Sequence, residues 1–197
     1  MNSAQVKLSE VASVQLGIAF RGADAARHQP NGSHRLIRIG EISEDGDISI
    51  SDGDPHLIDL NFPGAARGEL RAGDVLVAAR GSRMTAAVFD GSFAAVAGSQ
   101  FGIIRPDPNR LLPQYLRWFL NLPAIQESLQ SQARGSYVRS LPIGALNNLE
   151  VAVPPLERQH LIAEIHMLRL QEKHLTARLL EHQAILINHT LLRAAKP

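Results

Sequence analysis

Apolar positions change rhythm along this chain of 197 residues. Leu8, Val11, Ala12 and Val14 sit three, one and two residues apart, which predicts a short opening helix that stops near Gly17. The polar stretch RGADAARHQPNGSH (21–34) carries Gly, Pro and Asn and predicts a loop. β-Type runs follow: RLIRIGEI (35–42), then DISI (47–50) after the Asp45-Gly46 turn signal. ELRAGDVLVAAR (69–80) predicts a turn at Ala72-Gly73 leading into a strand, and AAVFD (86–90) and AAVAGSQFGIIRP (94–106) predict two more. Pro106 and Pro108 close that last run.

Helical spacing then takes over. In LPQYLRWFLNLPAIQESLQSQ (112–132), Tyr115, Leu116, Phe119, Leu120, Ile125 and Leu129 mark the apolar faces, and Pro123 divides the stretch at the start of a second helix. ARGSYVRSLP (133–142) predicts a loop, and LNNLEVAVP (146–154) a final strand. Residues 155–197 contain no glycine, begin with a proline suited to a first helical turn, and place Leu161, Ile165, Leu168, Leu175, Leu179 and Leu186 at intervals of three and four. Glu172 and His182 interrupt that stripe, and Leu180, Ala184, Ile187 and Leu191 form a second one beside it. Such a helix is about 60 Å long at 1.5 Å per residue. It is therefore expected to project from the domain and to bury its stripe against another helix, because an exposed run of Leu and Ile is an interaction surface. The fold class is α+β: a mixed, β-rich domain with short helices over 1–153, then a long coiled-coil-type helix over 155–197.

Composition narrows the function classes. The hydrophobic fraction of 45% and charged fraction of 20% are those of a globular domain. No apolar run reaches membrane-spanning length. The opening MNSAQVKLSE has no basic region followed by an apolar run, so no secretory signal is expected. The absence of cysteine excludes disulfides and thiolate metal sites and fits a cytoplasmic protein.

The net charge of +1 hides a strong asymmetry: residues 1–40 carry +3, 41–74 carry −7, 75–149 carry +4 and 150–197 carry +1. Two separated segments can thus form a basic face. Of the 20 basic residues 17 are arginine, whose planar fork suits phosphates and guanine edges. A GC-rich genome, which favours arginine codons, gives the same bias.

Candidate chemistry is sparse. His160, His166, His174, His182 and His189 lie in the long helix. HLIAEIH (160–166) lacks the two histidines four apart that a zinc-protease helix needs, so no metal site is expected. Ser82 and Ser136 have neither the nucleophile-elbow context nor a paired His and Asp, so no catalytic residue is assigned. ISEDGDISISDGD (42–54) lacks the terminal glutamate of a calcium loop, and no glycine-rich nucleotide motif occurs.

What remains is a set of arginine-bearing loops: Arg21, Arg35 with Arg38, Arg80 with Arg83, and Arg134 with Arg139. Beside them Ser82, Gln100, Ser136 and Tyr137 offer hydrogen bonds to phosphates or base edges. The plainer alternative is that each is a solvated surface arginine. For Arg139, the alternative is that it pins its loop to the domain and leaves Arg134 alone to reach a ligand.

These residues, in this order, resemble one half of the specificity (S) subunit of type I restriction-modification enzymes. VKLSEVASVQLGIAFRG (6–22), RLIRIGEISEDGDI (35–48), GDVLVAARGS (73–82), SQFGIIRP (99–106) and LLPQYLRWFLN (111–121) each resemble a stretch of that family's target recognition domain. The fullest match is ARGSYVRSLPIGALNNLEVAVPPLERQHLIAEI (133–165): a Gly-Ser loop, a strand, a PPL-x-x-Q-x-x-I pattern and a long helix.

The resemblance implies a non-catalytic reader of double-stranded DNA. Arg80, Arg83, Arg134 and Arg139 are the first candidates for contact, then Ser82, Gln100, Ser136 and Tyr137, then Arg21 and Arg38. It implies a methyltransferase (modification) subunit, which holds S-adenosylmethionine, and a restriction subunit that cleaves. No cofactor is expected in this chain. Family members carry two recognition domains and two long helices, and this chain has one of each. Self-association through Leu161, Ile165, Leu168, Leu175, Leu179 and Leu186 would then rebuild a two-domain reader as a homodimer, with two identical half-sites in inverted orientation. A protein-interaction or oligomerisation module without specific DNA binding is the second hypothesis.

Overall fold

A computed structural model describes residues 4–20, 28–49, 55–61, 65–81, 83–135 and 139–195. The elements run β1 (Ala4–Lys7), β2 (Ala12–Leu16), β3 (His34–Ile37), β4 (Leu57–Ile58), β5 (Val75–Ala78), β6 (Ala86–Val88), β7 (Ala95–Ala97) and β8 (Phe101–Pro106), then α1 (Pro113–Leu120), α2 (Pro123–Gln132), α3 (Ile143–Asn147), β9 (Glu150–Val153) and α4 (Leu156–Ala194). The class is α+β, with mixed sheets followed by one long helix. The chain divides into two compact units, 1–160 and 161–197.

Three sheets build the first unit. One is four-stranded and antiparallel in the order β2-β8-β5-β6. A three-stranded sheet, β4-β3-β7, pairs β3 with β7 in parallel and with β4 antiparallel. β1 and β9 zip together antiparallel, so the start of the chain and the residues just before α4 share a ladder.

Every residue of β5 is buried, because both faces of its sheet are covered. On one face Leu76 and Ala78 join Phe101 and Ile103 of β8 in a core with Ile37, Phe89, Ala95 and Ala97. The alternate residues Val75, Val77 and Ile104 are also buried, and α1 packs against β5 and β6.

The opening segment corrects the helix expected over 8–14. Leu8–Glu10 is a single 3-10 turn, which buries Leu8 and Val11 three residues apart, and Ala12–Leu16 is a strand with Val14 opposite Ile104. The three-residue spacing comes from the turn, and pairing with β8 overrides helical continuation. The run 94–106 is likewise two strands. A turn at Gly98–Gln100, closed by Phe101 N–H to the Gly98 carbonyl at 3.0 Å, sends β7 to one sheet and β8 to the other. In the expected strand 47–50, Ile48 makes only a bridge to Ile42, and Ile50 lies outside the described residues.

Pro123 sits at the first position of α2, as its fixed φ favours. The start of α4 is held by Gln159, fully buried within the first unit. Its Oε1 accepts from Leu112 N at 2.8 Å, and its Nε2 donates to the carbonyls of Arg110 and Pro154, each at 2.8 Å. This gives the glutamine of the PPL-x-x-Q pattern a structural task. Nearby, the Tyr115 hydroxyl donates to the Ala152 carbonyl at 2.6 Å, and burial raises its pKa.

α4 is one continuous helix of 39 residues. Leu161, Ile165, Leu168, Leu175, Leu179 and Leu186 are each more than half exposed, from 56% to 66%. Among the described residues no helix is long and apolar enough to cross a membrane.

Candidate functional site

The described arginines separate by whether a carboxylate lies across the fold. Arg35 is buried, ion-paired to Glu41 at 2.6 Å, and stacked over Phe93 at 5.6 Å. Arg105 grips the buried Asp74 with two parallel bonds of 2.7 and 2.6 Å, and that hydrogen bonding raises the arginine's pKa. Arg117 is buried against Asp47 at 2.9 Å and the Asp45 carbonyl at 2.7 Å. Glu41, Asp47 and Asp74 of the acidic segment 41–74 therefore serve as internal counter-ions, and Arg35 leaves the set of candidate contacts.

A second group is exposed, and the backbone gathers it. β5 ends at Ala78, and the chain continues through Ala79, Arg80 and Gly81. Ala79 N–H donates to the Gln100 carbonyl at 2.8 Å, which brings the β7–β8 turn to one side. On the other side lie Arg134 and residues 139–141. Leu141 N–H donates to the Ala79 carbonyl at 2.8 Å, and Gly81 N–H donates to the Arg139 carbonyl at 3.2 Å. Arg134 and Ser140 exchange N–H to carbonyl bonds of 2.9 and 2.8 Å. Ser140 thus bridges to Arg80 on one side and to Arg134 on the other, both antiparallel. Gly81 and Gly135 hold φ of +108° and +113°, a left-handed conformation that residues with a Cβ resist.

Arg80, Arg134 and Arg139 are exposed, and none makes a side-chain ion pair or hydrogen bond among the described residues. For Arg139 it is the main-chain carbonyl that pins the loop. Gln100 is half-buried, with its carbonyl fixed on Ala79. Arg83 is exposed and ion-paired to Glu44, and both line an open groove with Arg80, Ile39, Ile42 and Thr85. Arg38 is exposed next to Ile39 and is not drawn into the Arg80 ladder. Arg21, Ser82, Ser136 and Tyr137 lie outside the described residues.

Met84 and Ala86 are held from behind by two amide side chains. Asn121 bonds Ala86 N–H and carbonyl at 2.9 and 2.8 Å, and Gln126 bonds those of Met84 at 3.2 and 3.0 Å. They stand in for the next strand and satisfy the edge of β6. Ser140 and Glu44 are members of this surface that the spacing of the sequence did not single out. The repeated tetrapeptide Ala-Arg-Gly-Ser at 79–82 and 133–136 was the available signal.

No group of carboxylates and histidines among the described residues is arranged to hold a metal ion. The surface instead offers guanidinium groups without ion pairs among the described residues, open glycine backbone and neutral polar groups. That chemistry takes anions and hydrogen-bonding edges.

Comparison with known proteins adds the family context. A model of the type I restriction modification DNA specificity domain matches residues 4–169. Among curated proteins no sequence matches significantly. A solved structure describing complex assembly and conformational transition of the type I R-M system contains a similar chain, with a TM-score of 0.69 at 20% identity over 93% of this chain and 42% of that one. The HsdS subunit from Thermoanaerobacter tengcongensis is similar with a TM-score of 0.58 at 18% identity, over 89% of this chain and 39% of that one. For the type I restriction-modification S subunit from M. genitalium the TM-score is 0.59 at 16% identity, over 93% and 43%. The chain therefore spans about two fifths of the length of these structures, and the likeness to them is one of fold.

Proposed function

The chain belongs to the type I restriction modification DNA specificity domain family, and from that premise we propose that it recognises a short sequence of duplex DNA and carries no chemistry of its own. The observation that supports this most is the bridging of Arg80 and Arg134 to Ser140 on one backbone ladder, both exposed and without an ion pair among the described residues. An arginine fork can bind phosphate oxygens or the O6 and N7 of guanine. Arg38, Arg83 and Gln100 are secondary candidates, as are Arg21, Ser82, Ser136 and Tyr137.

In this reading residues 1–153 form the recognition domain and 155–197 the assembly helix. Two copies pair through Leu161, Ile165, Leu168, Leu175, Leu179 and Leu186, and a twofold pair reads two inverted half-sites. A methyltransferase subunit supplies S-adenosylmethionine-dependent modification and a restriction subunit supplies cleavage, all in the cytoplasm. This chain binds no cofactor.

The test is duplex binding across a salt series, with selection from a random library, using the chain alone and with the methyltransferase subunit. The expected outcome is affinity that falls steeply with salt, at about 0.9 log units per log unit of salt for each phosphate neutralised, and enrichment of one bipartite site. A preparation that shows neither, even with the methyltransferase subunit, sinks the DNA reading. It would leave a protein-interaction module, which the exposed apolar positions of α4 favour independently.

A further inference from the structure

We propose that Arg80 and Arg134 are a matched pair of cations that grips phosphates of one DNA strand, with Ser140 as a neutral contact between them, and that Arg139 takes no part. The proposal rests on the reading of the chain as a DNA reader and deepens it.

The tetrapeptide Ala-Arg-Gly-Ser occurs at 79–82 and again at 133–136, over 50 residues later. Both glycines adopt the same unusual backbone, with φ of +108° and +113°. Both arginines bridge to the same residue, Ser140, from opposite sides. Each pairing is antiparallel, so the two Arg-Gly steps run parallel to each other, as copies displaced sideways.

Ladder geometry fixes the spacing. Arg134 and Ser140 exchange their hydrogen bonds directly, which is the wide type of antiparallel pair. Arg80 and Ser140 sit between the bonds made by their neighbours, which is the narrow type. The Cα atoms of Arg80 and Arg134 are then about 10 Å apart, being roughly 5.5 Å and 4.5 Å from that of Ser140. Two long side chains that start this far apart can meet separate phosphates of one strand. Directly opposed residues send their side chains to the same face, so Arg80, Ser140 and Arg134 share a face. Arg139 precedes Ser140 and points to the other.

Charge supplies the second argument. Like charges on one face of a ladder repel, and an anion set against both offsets that repulsion. Arg35, Arg83, Arg105 and Arg117 each have a carboxylate partner, whereas Arg80 and Arg134 have none among the described residues. The uncharged Ser140 in the middle leaves the row free to take the negative charge from outside. A Cβ at Gly81 would meet nothing within 4 Å, so the backbone beside Arg80 is open to a close approach.

The experiment measures binding of the full-length chain to a selected duplex and an unrelated one at several salt concentrations, with thermal melting as the folding control. Arg80→Ala and Arg134→Ala should each reduce the salt slope by about one, and the double variant by about two, on both duplexes alike. Arg139→Ala should keep the wild-type slope. Ser140→Asp should lower affinity by at least about tenfold, through a carboxylate set between the two cations. A folded double variant with the wild-type slope overturns the pair while leaving the DNA reading intact. A slope lost in Arg139→Ala as much as in Arg80→Ala overturns the assignment of faces. A wild-type chain that binds no duplex overturns the DNA reading, and the pair with it.

Discussion

At the scale of single residues, the same amino acid does two kinds of work here, and position decides which. Asp74 is almost wholly buried, accepts two bonds from Arg105, and accepts Arg71 N–H at 2.8 Å. Asp74→Ala should cost about 2–3 kcal/mol in urea unfolding, because it strands a partly buried guanidinium and a main-chain donor. Glu44→Gln, which breaks an exposed pair with Arg83, should change stability by no more than about 0.5 kcal/mol. Equal losses in the two variants would contradict the division between internal and outward-facing arginines. The sequence displays 17 arginines without this division. Arg35 and Arg80 both stand among apolar neighbours, and what separates them is whether a carboxylate lies across the fold. Ser140 was illegible for the same reason: its place is set by bridges to residues 6 and 60 positions away.

At the scale of elements, strong local signals were readable. Pro123 at the head of α2, the apolar run of β5 and the glycine-free stretch of α4 all appear where their patterns put them. Elements whose partners are remote were not readable. β1 is a strand because β9 zips against it, β4 has only two residues, and β2 takes its conformation from β8. The first turn of α4 offers a test at this scale. Gln159→Leu removes three bonds to main-chain groups buried around it, and should destabilise the domain by about 2–4 kcal/mol in chemical denaturation. A loss below about 1 kcal/mol would mean that those groups find other partners and that the glutamine is not the clasp.

At the scale of the whole molecule, the exposed large apolar side chains among the described residues lie, Leu16 apart, on α4. Exposing six large apolar side chains along one stripe is unfavourable, since each gains about 1.5–3 kcal/mol on burial. In the distal half Leu179 with Leu186, Leu180 with Ile187, and Ile185 with Leu192 form three seven-residue repeats about a third of a turn apart. One antiparallel partner covers one of these faces. If the chain pairs with itself, Leu168→Asp combined with Leu179→Asp should convert a dimer to a monomer in sedimentation. An unchanged dimer mass would place the contact elsewhere.

The row at Ser140 has one more consequence. Its frame consists of main-chain hydrogen bonds between residues 79–81, 134 and 139–141, with glycine at 81 and 135 as its side-chain requirement. Among the described residues no buried side chain is hydrogen-bonded to the side chains of Arg80, Arg134 or Ser140, so the chain can exchange these three letters without rewriting the grammar that displays them. A row that meets phosphates in this way lets affinity drift by substitution while the fold, and any sequence preference set elsewhere, stays still.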